Sequence, residues 1–419
     1  MRQTTVIKII MPCFAGLLSF TTWSQNMNSP YSVYGIGDID YKSNNKTNGM
    51  GGTNLSLQSS SFILNNNPAS VAGLERSFLV VSLSGAAKSS VYKGDAINTG
   101  NSANQDMWIK GLSLGTKINK VWSANIGISQ FSNVNYKFTG SKATEGSTTK
   151  YSTYYEGDGG LNEYYFVNAF SLGKHLSLGV RSSFLIGSIN QSETIYDSVL
   201  ETSIVTKQQD YLNNFRFQAG GIYTAAIGKK WDFSLGAKYI PATRLAANRS
   251  ITVSQDGVAV VEDQFVKSDR FWLPKTYAAG ISLVHKKKTT FSADYTYEDW
   301  SSYKTSGNGW KLINSQRLSA GVEFSKQVSY WNQPVQKKFY QLGAFVSNSY
   351  LQLKGTPIKE VGFTSGMGGR LGNSLLYSLS AEYGIRGTTR SSLIQEKYFE
   401  LSFTLSYRDF LFSKGRRYN

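Results

Sequence analysis

Two histidines, His175 and His285, and one cysteine, Cys13, are the side chains in 419 residues best suited to soft-metal ligation or base-assisted nucleophilic attack. Both histidines sit beside lysines in short polar stretches, "GKH" at 173–175 and "HKKK" at 285–288, and no H-E-x-x-H occurs. Cys13 falls inside the apolar run "IIMPCFAGLLSF" (9–20), which lacks the small residue that should precede a lipidated cysteine. The glycine clusters "GMGG" (49–52) and "GMGGRLG" (366–372) have neither the G-x-G-x-x-G spacing of a dinucleotide site nor the Lys-Ser/Thr of a phosphate loop. These residues predict no catalytic centre, no metal site and no cofactor.

The remaining chemistry is charge. The formal net charge is +17, and the basic residues read as scattered rather than gathered in one stripe, which argues against nucleic acid and for anionic lipid at a membrane surface. A separate set falls on alternate positions of apolar-rich segments: Arg181, Arg216, Asp232, Lys238, Asp294 and Glu298, then Arg317, Glu323, Glu382, Arg386, Glu400 and Arg408. Facing a closed interior, these would pair with one another, because an isolated buried charge is costly. An arginine could instead hold a ligand carboxylate, since its fork matches that group bidentately.

What must position these charges is a sheet. In "HLSLGVRSSFLIG" (175–187), Leu176, Leu178, Val180, Phe184 and Ile186 share one face, while Ser177, Gly179, Arg181 and Ser183 share the other. An apolar face outward with small polar and charged residues inward suits a strand of a lipid-embedded barrel. The pattern recurs through Trp122–Ile128, Phe215–Tyr223, Trp231–Tyr239, Phe291–Tyr297, Leu318–Phe324, Tyr340–Val346, Leu375–Tyr383 and Phe399–Tyr407, and adding weaker segments gives fourteen strands. After residue 24 no apolar run reaches the ~18 residues that a membrane helix needs. The fold class predicted is all-β, an antiparallel transmembrane barrel of about fourteen strands.

The connections support this, because such barrels alternate short periplasmic turns with longer outer loops. Short links fall at 119–120, 173–175, 228–230, 285–288 and 372–374. Long loops are expected over 88–106, 137–161, 190–213, 243–270, 300–314, 349–357 and 387–397. "SKQVSYWNQPVQKK" (325–338) is too long for the periplasmic turn that its place requires. Trp122 and Trp231, each just after a short basic turn, fit an interfacial aromatic girdle.

Residues 1–24 read as a signal peptide with basic Arg2 and Lys8 before the apolar run. The barrel is expected over 76–419. Residues 25–75 between them are rich in Gly, Asn and Ser, and a barrel this wide has room for them in its lumen as a hatch. "SPYSVYGIGDI" (29–39), "GMGGT" (49–53) and "NNNPASVAGL" (65–74) resemble the FadL-like outer-membrane transport proteins in their Bacteroidetes form, with Asn67, Pro68 and Ala69 matching that family's Asn-Pro-Ala step.

The resemblance implies an outer-membrane barrel of a Gram-negative bacterium, exported by its signal peptide, that passes hydrophobic or amphipathic molecules under control of the hatch. The candidate hatch and gate residues are Gly49, Gly51, Gly52, Asn67, Pro68 and Ala69, and the luminal charge candidates are Arg181, Arg216, Asp294, Arg317, Glu323, Glu382 and Arg386. Expected partners are outer-membrane lipid or lipopolysaccharide and a hydrophobic ligand. The alternative is a non-transporting barrel that serves as a subunit of a larger outer-membrane complex, for secretion or protein assembly.

Overall fold

The computed structural model of the chain describes residues 29–40, 46–94, 103–143, 150–197, 201–268, 271–330, 333–372 and 374–411, so the expected signal peptide and Cys13 lie outside the described residues. Fourteen antiparallel strands close into a barrel. They begin with β1 (Phe78–Lys93), β2 (Ala103–Lys117), β3 (Trp122–Ala143), β4 (Lys150–Leu172), β5 (Leu176–Asp197) and β6 (Thr202–Ile227). β7 is broken into Trp231–Ile240 and Ala246–Gln255, and β8 into Val258–Ser268 and Lys275–His285. Then follow β9 (Thr289–Asp299), β10 (Ser315–Tyr330), β11 (Gln333–Leu353), β12 (Thr356–Leu371), β13 (Leu375–Gly387) and β14 (Gln395–Phe410). β1 pairs β14 from Phe78↔Phe410 to Lys93↔Gln395, which leaves no free edge at the join.

Period-two alternation decides which face meets lipid. Leu178 and Val180 are over 40% exposed, whereas Arg181 and Ser183 just beyond them are under 5%. The breaks in β7 and β8 fall at Pro241 and Pro274, which can donate no ladder hydrogen bond. Trp231 faces outward near the end of its strand and stacks on His285, with ring centroids 4.4 Å apart.

Three expectations are corrected. Most of the long outer loops are strand: β6 has 26 residues against 11 in β9, so the hairpins β3–β4, β5–β6 and β7–β8 rise well past the ~9–11 residues that cross a bilayer. Above the membrane both faces meet water, so the apolar alternation fades while the ladder continues. β7 and β8 meet in a tight turn at Asp256 and Gly257, both with positive φ. The segment 325–338 is likewise no loop, because β10 and β11 stay paired out to Tyr330↔Gln333. The basic residues are not simply scattered, since nine lysines crowd one arc of the short-turn rim.

The β2–β3 seam differs from every other join in the wall. Its ladder has seven pairs, Gly111↔Ser129 to Lys117↔Ser123, and stops there. Beyond that point the freed edge of β3 pairs with Asp38 and Ile39, which sit opposite Asn133 and Ser132.

Candidate functional site: the filled lumen

Residues 46–75 cross the lumen, and their seat is built from wall glycines. A Cβ on Gly179 would strike the Pro68 carbonyl group, one on Gly220 the Asn67 side chain, and one on Gly236 the Leu55 carbonyl. Further round, Gly321 and Gly343 abut Met50, and Gly366 abuts Gly49. Gly179↔Gly220 and Gly321↔Gly343 are registered pairs, so the two contacts are each shared across neighbouring strands. Glycine weakens a strand but lets another backbone approach closely, and here the approaching backbone is the chain's own.

The three asparagines supply the polar half of the fit. Asn65 Nδ2 donates to the Tyr165 hydroxyl at 2.9 Å, and Asn65 Oδ1 accepts from Asn125 at 3.0 Å. Asn66 accepts at Oδ1 from Lys238 Nζ (2.6 Å) and at its carbonyl from Gln218 (2.7 Å). Asn67 Nδ2 faces the carbonyls of Leu55, Gly221 and Ala237 at 2.7, 3.2 and 3.3 Å. Its Oδ1 caps the short 3-10 helix Pro68–Gly73 by accepting from Ala69 N–H at 3.1 Å, with Pro68 in the first position, where no N–H is required. Ala69 is fully buried.

Gly49, Gly51 and Gly52 lie on the opposite side of the lumen. Thr364 Oγ1 donates to the Gly49 carbonyl (2.9 Å) and accepts from Gly51 N–H (2.8 Å). Gly51 and Gly52 both have positive φ, and Gly52 N–H closes the turn on the Thr47 carbonyl at 3.1 Å. The structure therefore brings Gly49 and Gly51 to the wall, and Asn67 to Ala69 to a different sector of it.

The luminal charges are paired, several with partners that the sequence reading does not single out. Asp294 Oδ2 accepts from the backbone N–H groups of Asn54 (2.7 Å) and Leu55 (3.0 Å). Arg181 forks onto Glu163, 2.5 Å at the closest, while lying 3.6 Å over the Tyr165 ring and donating to the Asn65 carbonyl. Glu323 meets Lys46 at 3.0 Å, and Arg386 meets Asp38 at 2.8 Å. Arg317 donates to the Gly51 carbonyl (3.4 Å) over the Phe345 ring, Glu382 accepts from the Tyr398 hydroxyl (2.7 Å), and Arg216 stacks 5.2 Å from Phe131. Glu163, Asp38 and Lys46 are missed because they lie in a weak strand candidate or in the N-terminal segment. Lys88, paired with Glu396, and Lys110, paired with Glu400, are missed because their strands continue into or border an expected loop.

Between residues 38–40 and 51–66 the lumen keeps a cavity of about 270 Å³. Seven acidic and seven basic side chains line it, with Trp108, Phe131, Leu273 and Trp300 among its apolar neighbours. The outer end above it is apolar, where Tyr31 and Ile36 pack with Leu161, Leu185, Leu212 and Tyr350, an inward-facing apolar group that the outward-apolar pattern does not predict. The arrangement can balance charge and hold backbone.

His175 lies in a turn, its Nδ1 2.8 Å from the Thr224 carbonyl, and His285 ends β8 stacked on Trp231. Among the described residues no three His, Cys, Asp or Glu side chains gather as metal ligands. One G-x-S-x-G spacing does occur, Gly111 to Gly115, and it lies inside the unbroken β2 ladder rather than at a strand-to-helix turn, so it presents no nucleophile elbow.

Solved structures share this fold at low identity. The toluene transporter TodX of Pseudomonas putida aligns over 90% of this chain and 99% of its own, with 14% identity and a TM-score of 0.58. A FadL homologue of Pseudomonas aeruginosa aligns over 90% and 100%, with 14% identity and a TM-score of 0.54. The toluene transporter TbuX of Ralstonia pickettii aligns over 90% and 99%, with 13% identity and a TM-score of 0.52. The fold is thus the FadL-like barrel, that of outer-membrane transport channels. No curated protein matches the chain in sequence. The BamG family model matches residues 6–419, and the chain belongs to the BamG family.

Proposed function

We propose that this outer-membrane barrel is a closed one that serves as a membrane-embedded subunit of a larger outer-membrane complex, with residues 25–75 as a fixed hatch rather than a moving gate. The observation that carries this reading is the seating of residues 46–75: wall glycines receive their backbone, and Asp294, Thr364, Asn67 and Asn65 bond them to the wall. Moving the hatch would break these bonds together and leave buried polar groups unsatisfied at about 1–3 kcal/mol each. Membership of a family other than that of the hydrocarbon channels agrees with a different task on a shared fold.

A second reading is passive uptake of a hydrophobic or amphipathic ligand, in keeping with structural neighbours that are named toluene transporters. The β2–β3 seam favours it, because the cavity reaches that join and, among the described residues, Asp38 and Ile39 are what pairs with the freed edge of β3. Outer-membrane lipid or lipopolysaccharide would then be a boundary, not a cargo.

The two separate by locking the hatch. Ser406 Oγ donates to the Ser61 carbonyl at 2.7 Å, so cysteines at both positions can be joined by a short thiol-specific cross-linker. The subunit reading predicts that locked cells keep wild-type growth and complex yield. Loss of uptake of a hydrophobic compound on locking, in a chain that isolates alone, would replace it with the gated transporter.

A further inference from the structure

The short-turn rim holds charge that neither the hatch nor the cavity uses. Lys174, Lys229, Lys230, Lys286, Lys287 and Lys288 stand exposed at the tips of the turns β4–β5, β6–β7 and β8–β9. Lys326, Lys337 and Lys338, also exposed, join them at the base of the β10–β11 hairpin. The ion pairs of the described residues involve none of the nine. Half-buried Asp232 is the one carboxylate among the described residues of these turns.

The arc is continuous and one-sided. Lys286 N–H donates to the Lys230 carbonyl at 2.8 Å, Ser325 N–H to the Lys288 carbonyl at 2.6 Å, and Gln327 to the Lys287 carbonyl at 2.9 Å, so adjacent turns are fastened together. Elsewhere on the rim the charges are sparser, mixed and partly paired: Lys120 and Arg370 stand near the β2–β3 and β12–β13 turns, Arg408 meets Glu75, and Asp409 stands at the end of β14.

Local rules are broken in favour of this charge. Lys326 and Lys338 sit directly opposite each other on the ladder, where like charges destabilise a sheet. Lys286 and Lys287 both adopt left-handed φ, 50° and 56°, in a turn that favours Asn and Gly. Residues kept against local preference mark a function that repays them.

We infer that this lysine arc, with the β10–β11 hairpin, is the docking surface for an acidic face of a periplasmic protein domain. The inference rests on the complex-subunit reading and names the chemistry of one partner. A lipid annulus surrounds the whole barrel and would favour lysine evenly on its turns, whereas nine exposed lysines lie on four consecutive ones against one, Lys120, on the β2–β3 turn. The hairpin also continues past the neighbouring turns by four paired rungs, Gln327↔Gln336 to Tyr330↔Gln333, about 13 Å at ~3.3 Å per residue, which takes it away from the headgroups.

The test places a photoreactive amino acid at Lys287 in the full chain in cells, with and without Lys229→Glu and Lys230→Glu. Cross-linking to a discrete protein with a strongly acidic surface, reduced about tenfold or more by the charge reversal and partly restored by Lys→Arg at the same positions, is the expected result. In parallel, the purified barrel in phosphatidylcholine nanodiscs is titrated with a glutamate-rich peptide; binding should weaken with salt and with the reversal. Adducts to phospholipid alone would assign the arc to anionic lipid and overturn the inference. So would a complex that isolates intact, with no cross-link at Lys287 and no loss on reversal; that outcome leaves the subunit reading standing, whereas isolation of a lone barrel removes both.

Discussion

At the scale of residues, Asn67 shows how one side chain joins hatch and wall. Its amide nitrogen faces two wall carbonyls and one hatch carbonyl while its oxygen caps the helix that begins at Pro68. Asn67→Ala should therefore loosen the hatch by about 1–3 kcal/mol without unfolding the barrel. The measurement is thiol labelling of a cysteine introduced at Leu55, which is fully buried in the seated hatch; labelling should speed up in the variant, and an unchanged rate would contradict the role. Gly343→Val should act in the same direction and by a similar amount, because its Cβ would meet the backbone of Met50 and Gly51, and overpacking of such a site costs about 1–3 kcal/mol. Asn67, Pro68 and Ala69 were legible from the sequence because a polar run ending in Pro is conspicuous before a strand. Their receivers Gly179 and Gly220 were not, since a strand glycine shows its purpose only once the register places a second backbone against it.

At the scale of elements, the barrel was legible because every crossing strand repeats one constraint, lipid on one face and a lumen on the other. Val180→Arg should lower barrel stability by ~2–4 kcal/mol, read by urea unfolding in micelles or bilayers, because it puts charge within the outward apolar stretch Leu176–Ile186 of β5. Thr296→Gln, which faces the charged cavity, should cost much less. Greater damage from Thr296→Gln would mean that the faces are reversed. The outer hairpins were not legible as strands because their alternation is lost once both faces are wet, as in the stretch from Asn190 to Asn213. Their height gives a topological prediction: an epitope inserted at Asp256 should be reached by antibody on intact cells, and one at Lys287 should not. Labelling at Lys287 alone would invert the barrel and the docking surface with it.

At the scale of the whole molecule, the fold is shared with solved transport proteins while the lumen is crossed by the chain's own residues 46–75. Pairing of Asp38 with Arg386, Lys46 with Glu323 and Asp294 with the hatch backbone turns the interior into a structural core of polar type. Deleting residues 26–60 should leave a heat-resistant barrel, since the fourteen strands pair among themselves, and should raise leakage of solutes that the intact chain excludes. The fold could be read from the sequence and the task could not, because alternation reports what surrounds a strand and is silent about what the barrel meets at its rims. The most direct measurement is therefore the mass and stoichiometry of the tagged chain released from its own membranes in mild detergent. A discrete assembly with other proteins in fixed ratio is the predicted result; a lone barrel carrying bound hydrophobic compound would contradict the account.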